Sequence, residues 1–179
     1  MSPDLKRASA LAQAGRLREA AQIYRSALAK APQDAEATHF LGVCLVRDGR
    51  RAEGLALVER SLNLAPDNAM YRQNCGLLLA EGGDLAGADA QFRRIIGLEP
   101  GNAPAHNYLG MVCQRLGRFD EAIAAYHEAL RSLREHRKAP DHRSEQSRNQ
   151  DHHGRKSHGN RFGMASRTKE RDQLAKENH

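Results

Sequence analysis

The residues that could do chemistry are few, and their spacing does not serve it. His127-Glu128 opens the H-E-x-x-H pattern, in which one helix face sets two histidines on a zinc ion, but position 131 holds Arg131. Without the second histidine the pair reads as a surface stretch beside Tyr126. Cys44, Cys75 and Cys113 are odd in number and lack metal-ligand spacing, which suits a reducing, cytoplasmic setting. They fall at or near packing positions, where a thiol behaves as a small buried hydrophobe. Asp151-His152-His153 and His158 could hold a divalent ion weakly, although a solvated, non-binding run is the simpler reading. Gly82-Gly83 reads as a helix terminator, with no phosphate-cradling loop and lysine around it. No nucleophile stands beside a base, so neither catalysis nor a cofactor is expected of this chain.

The elements that carry these residues divide the 179-residue chain unevenly. Residues 1–136 contain 65 apolar residues, whereas 137–179 contain six: Ala139, Phe162, Met164, Ala165, Leu174 and Ala175. Only the first part can bury a core, and the second reads as a polar, disordered tail. Charge divides the same way. Lysines and arginines number 17 against 16 acids in the body and 11 against 6 in the tail, giving +1 and +5. That tail could attract nucleic acid, but only Phe162 is available for stacking and the acids dilute the charge, so nucleic acid is not the favoured partner. No apolar run approaches the roughly 18 residues of a membrane span, and Sec export is not expected.

The body repeats itself. Gly15, Gly49, Gly83 and Gly117 are spaced by 34 residues, as are Pro32, Pro66 and Pro100. Ala8, Gly42, Gly76 and Gly110 keep the same step, and so do Ala20, Gly54, Ala88 and Ala122. Four glycines in one preset register arise by chance roughly once in tens of thousands, so the repeat is real. Each column has a physical task. Small residues let two helices approach, and glycine ends the first helix of each pair in the left-handed conformation. The prolines stop the second helix, while Asp34, Asn68 and Asn102 cap the next one, as Ser2 does before Pro3. Tyr24, Val58, Phe92 and Tyr126 supply the large knobs of the second helices. Eight helices in antiparallel pairs follow, over residues 3–30, 35–64, 69–98 and 103–134.

The pattern resembles the tetratricopeptide repeat. Leu41-Gly42, Leu45, Gly54, Val58 and Pro66 carry it in the second repeat, and Leu109-Gly110, Phe119, Ala122, Tyr126 and Ala129 in the fourth. Repeats span 1–34, 35–68, 69–102 and 103–136, with the tail at 137–179. Terminal repeats depart from the pattern, with Arg7-Ala8 for Leu-Gly and Arg134 where proline would sit. The resemblance implies an all-α, right-handed α-solenoid whose first helices line a concave groove for a segment of another protein.

On those helices the groove-facing column is Val43, Leu77 and Met111. His39, Phe40, Gln73, Asn74, Asn107 and Tyr108 flank it, with Val46 and Arg115 one turn on. The alternative is that the column packs against neighbouring first helices. The groove reading favours an apolar or amphipathic partner segment. Two groove chemistries of the family are not supported. The carboxylate clamp would need basic residues and asparagine where Leu5, Ser9 and Phe40 stand, and the asparagine ladder is represented by Asn74 alone.

The last helix offers Ala122, Tyr126 and Ala129 on a face that a following helix would normally cover. That edge frays, joins a second copy, or belongs to a chain that has lost a downstream part. Similar arrays precede the catalytic domains of bacterial sulfotransferases and glycosyltransferases. The function expected first is therefore a non-catalytic adaptor, with a substrate-presenting module of such an enzyme as the alternative.

Overall fold

The computed structural model describes residues 2–138, and among them every regular element is an α-helix. The helices are α1 Pro3–Gln13, α2 Leu17–Lys30, α3 Ala35–Arg47, α4 Arg51–Leu64, α5 Ala69–Glu81, α6 Leu85–Leu98, α7 Ala103–Arg115 and α8 Phe119–Lys138. They form four consecutive hairpins of first and second helices. The readings placed on residues 139–179, including the His152-His153 run, lie outside the described residues.

Local chemistry sets the boundaries. Ser2, Asp34, Asn68 and Asn102 each accept a hydrogen bond from the backbone N–H three residues on, so all four first helices carry the expected cap. Asp84 caps α6 in the same way, accepting from Gly87 N at 2.8 Å. At the hairpin turns Gly15, Gly49, Gly83 and Gly117 have φ of 78°, 90°, 88° and 76°. The residue after each glycine donates back five residues, as Arg50 N does to Leu45 O at 2.8 Å. This is the glycine termination that closes orphan carbonyls at a helix end. The last helix runs past the expected 134 to Lys138. With Arg134 in place of proline, nothing stops it, and Arg131 pairs with Glu128 at 2.5 Å and Glu135 at 3.9 Å along its surface.

Packing within a hairpin follows the small-residue columns. A Cβ on Gly42 would lie 2.7 Å from Gly54 O, and one on Gly54 would lie 2.5 Å from Gly42 O. The backbones of α3 and α4 touch there, which only glycine allows. Gly76 and Gly110 instead receive the rings of Phe92 and Tyr126. The knobs Tyr24, Val58 and Phe92 are fully buried. Polar contacts tie each hairpin to the next: Arg60 donates to Pro32 O at 2.8 Å, Arg51 donates to Leu78 O, and Arg93 bridges Asp89 at 2.8 Å and Glu121 at 2.6 Å.

Candidate partner-binding groove

The first helices α1, α3 and α5 lie side by side, and a cleft of about 190 Å³ opens along them. Phe40, Val43 and Leu77 form its apolar wall, and Ser9, Gln13 and Asn74 add polar groups. Arg47 and Glu81, both exposed, set opposite charges on its lining. Tyr24, fully buried, also lines the cleft, beside the half-buried Phe40. Those rings stack at 6.0 Å, and the Tyr24 hydroxyl is buried with no hydrogen-bond partner among the described residues. Burial pushes that phenol up to about 12.

Four of the expected groove residues, Phe40, Val43, Asn74 and Leu77, line this cleft together. Asn107 and Tyr108 line a different one, of about 450 Å³, beside Tyr126, Leu130 and Leu133. Met111 is exposed, and Gln73 is half-buried. Arg115 reaches back to the preceding repeat, donating to Ala80 O at 2.9 Å.

His39 and Val46 are placed otherwise than expected. Val46 sets a methyl against Gly54, whose missing side chain makes room for it, so it belongs to the α3–α4 contact. His39 is fully enclosed. Its ring stacks on Tyr71 at 4.2 Å, and both nitrogens are occupied. The Ser61 hydroxyl donates to Val58 O at 2.6 Å, so it accepts from His39 Nδ1–H at 3.0 Å. His39 Nε2 must then accept from the Asn74 amide, also at 3.0 Å. Burial holds this imidazole down at about 4, and it stays neutral. His39 thus positions the Asn74 side chain in the lining of the cleft.

Ser9, Gln13, Arg47 and Glu81 were absent from the expected groove set, yet the repeat held a signal for them. Ser9 shares the register of Val43, Leu77 and Met111, and Gln13, Arg47 and Glu81 share that of Arg115. At the far end, Ala122 and Ala129 do not form the outward face. Ala122 packs with Val112 and Cys113, and Ala129 is buried too, since small side chains let α8 settle onto α7.

Helix hairpins stacked with a fixed 34-residue register define a helical-repeat protein with a lined groove. Profiles of the tetratricopeptide repeat match residues 11–74 and 103–136, and the chain belongs to that family. No functionally curated protein matches it. Among solved structures it is similar to the crystal structure of MamA (21% identity, TM-score 0.69, 75% of this chain and 79% of that one). MamA AMB-1 is 29% identical, with a TM-score of 0.63 over 72% of this chain and 76% of that one. MamA 41-end from Desulfovibrio magneticus RS-1 is 20% identical, with a TM-score of 0.66 over 74% and 75%. The transferase-module alternative gains no support from these neighbours. No helix among the described residues is long and apolar enough to cross a membrane.

Proposed function

We propose that this chain is a non-catalytic adaptor that holds an amphipathic segment of a partner protein in the groove along α1, α3 and α5. The observation that carries this reading is the convergence of Phe40, Val43, Leu77 and a positioned Asn74 on one cleft. An apolar wall supplies affinity, and a few fixed polar groups supply orientation. Asn74 offers its carbonyl to an N–H of the guest, while Arg47 and Glu81 favour a segment with charge of both signs. Three unpaired, buried thiols fit a reducing cytoplasmic setting for this work.

Affinity capture with the full chain, compared with Leu77→Glu, tests the reading. A protein or peptide set retained by wild type and lost with Leu77→Glu, at unchanged helicity, is the expected result. Identical capture by both proteins would remove the groove as the working surface.

A further inference from the structure

The final helix leaves open the apolar face that each earlier second helix turns toward the next hairpin. Phe119, Ile123, Tyr126, Leu130 and Leu133 are spaced 4, 3, 4 and 3 residues apart, the seam of a two-helix coiled coil. Phe119, Ile123, Leu130 and Leu133 are 62%, 56%, 53% and 57% exposed. The same register, where a following hairpin covers the helix, reads Leu17, Ala21, Tyr24, Leu28 and Ala31 in the first repeat and Arg51, Leu55, Val58, Leu62 and Ala65 in the second. A terminal repeat ordinarily trades apolar for polar residues on its open face. Here that trade is not made: Ile123 keeps the apolar character of Leu55, and Leu133 that of Ala65.

Charge beside the stripe selects its occupant. One flank presents Asp120, His127 and Arg134, each a heptad apart, and all three are exposed. The opposite flank is Ala122 and Ala129, already buried. In an antiparallel pair of identical helices the like flanks face each other in reverse order, so Asp120 of each copy meets Arg134 of the other. A parallel pair would instead set each charged residue against alanine and leave both pairings unused. Five partly exposed side chains offer roughly 100 Å² each, so two copies remove about 1,000 Å² from water, enough for a modest specific interface. The cleft of about 450 Å³ lined by Pro104, Tyr108, Leu130 and Leu133 opens at the end of α8 where the second copy's Phe119 and Ile123 arrive.

We infer that two copies of this chain associate two-fold through antiparallel pairing of their α8 stripes, fixed in direction by reciprocal Asp120–Arg134 contacts. This surface is distinct from the groove and does not depend on it.

Sedimentation velocity on the full 179-residue chain, from 1 to 100 µM, tests it. Wild type is expected to reach twice the chain mass of 19.8 kDa within that range. Ile123→Glu and Leu130→Glu should each raise the dissociation constant more than tenfold at unchanged circular dichroism. Asp120→Arg and Arg134→Asp should each weaken association, and the double exchange should restore it, since the antiparallel pairing is then re-formed with its signs reversed. A wild-type monomer at 100 µM overturns the inference. In that case protection of a cysteine introduced at Leu130 from alkylation would identify residues 139–179 as the cover instead. A dimer indifferent to Ile123→Glu and Leu130→Glu, or a charge exchange that fails to rescue, overturns it equally.

Discussion

The Asn74 amide donates to Nε2 of His39 across 3.0 Å, joining α5 to α3, and the other imidazole nitrogen joins α3 to Ser61 of α4. One buried ring therefore ties three helices of two consecutive repeats and aims the groove's asparagine. Its neutrality is a condition of the arrangement, because Nε2 can accept from Asn74 only while unprotonated.

Acid should consequently loosen the body. His39 titrates at about 4 in the folded chain against 6.5 ordinarily. Between those values the unfolded chain takes up a proton that the folded chain does not, so stability is full above about pH 6.5 and falls toward pH 4. The gap amounts to about 3 kcal/mol. Urea unfolding from pH 7 to pH 4 should show that slope in wild type and a much shallower one in His39→Gln. Equal slopes would mean that His39 is protonated inside the fold or exposed to water.

Glycine-to-alanine substitutions should divide by what the new methyl meets. Gly42→Ala drives Cβ against the Gly54 carbonyl, which is main chain and cannot swing aside, and a loss of about 2–3 kcal/mol is expected. Gly97, inside α6, has nothing within 4 Å of the same atom. There alanine should stabilise by about 0.5–1 kcal/mol through reduced freedom of the unfolded chain. Thermal unfolding of the two variants checks the opposite signs, and a Gly42→Ala protein as stable as wild type would refute the backbone contact.

The hairpins were legible because their signals act locally and recur. Gly49 needs only its own turn, and Asp34 only the N–H of Ala37, so reading either requires no knowledge of the neighbouring repeat. The groove was legible in part for the same reason: Val43 and Leu77 share a register. His39 was not, because its burial depends on Ser61, Tyr71 and Asn74, which lie 22, 32 and 35 residues away in columns that do not conserve type along the chain. The same register holds Leu5, His39, Gln73 and Asn107, passing from buried to exposed. Position in a repeat fixes direction, while accessibility depends on what the next repeat brings.

The third and fourth hairpins should come apart most readily through Asp89. Its carboxylate receives Arg93 at 2.8 Å and Arg118 from the next hairpin, and the Cys113 thiol lies 3.8 Å away. Burial works to raise its pKa, but the two guanidinium hydrogen bonds outweigh that and hold it below the usual carboxylate range. Asp89→Ala removes the shared acceptor and leaves the buried Arg118 Nε with still fewer polar neighbours. The arginines are partly solvated, which limits the loss to about 1–2 kcal/mol. Hydrogen exchange should show α7 and α8 losing protection before α1–α4 do. A uniform loss along the chain would assign Asp89 a role other than joining these two hairpins.

Thiol reactivity should report the same junctions. Cys44, Cys75 and Cys113 are buried, and burial raises all three, Cys75 to about 11. Thiolate is the reacting species, so at pH 8 the native protein should modify with an aromatic disulfide reagent far more slowly than the urea-unfolded chain. Cys113 sits nearest the Asp89 junction, and Asp89→Ala should speed its modification while Cys44 stays slow. Equal acceleration at both cysteines would show that the variant opens the whole body rather than its last hairpin.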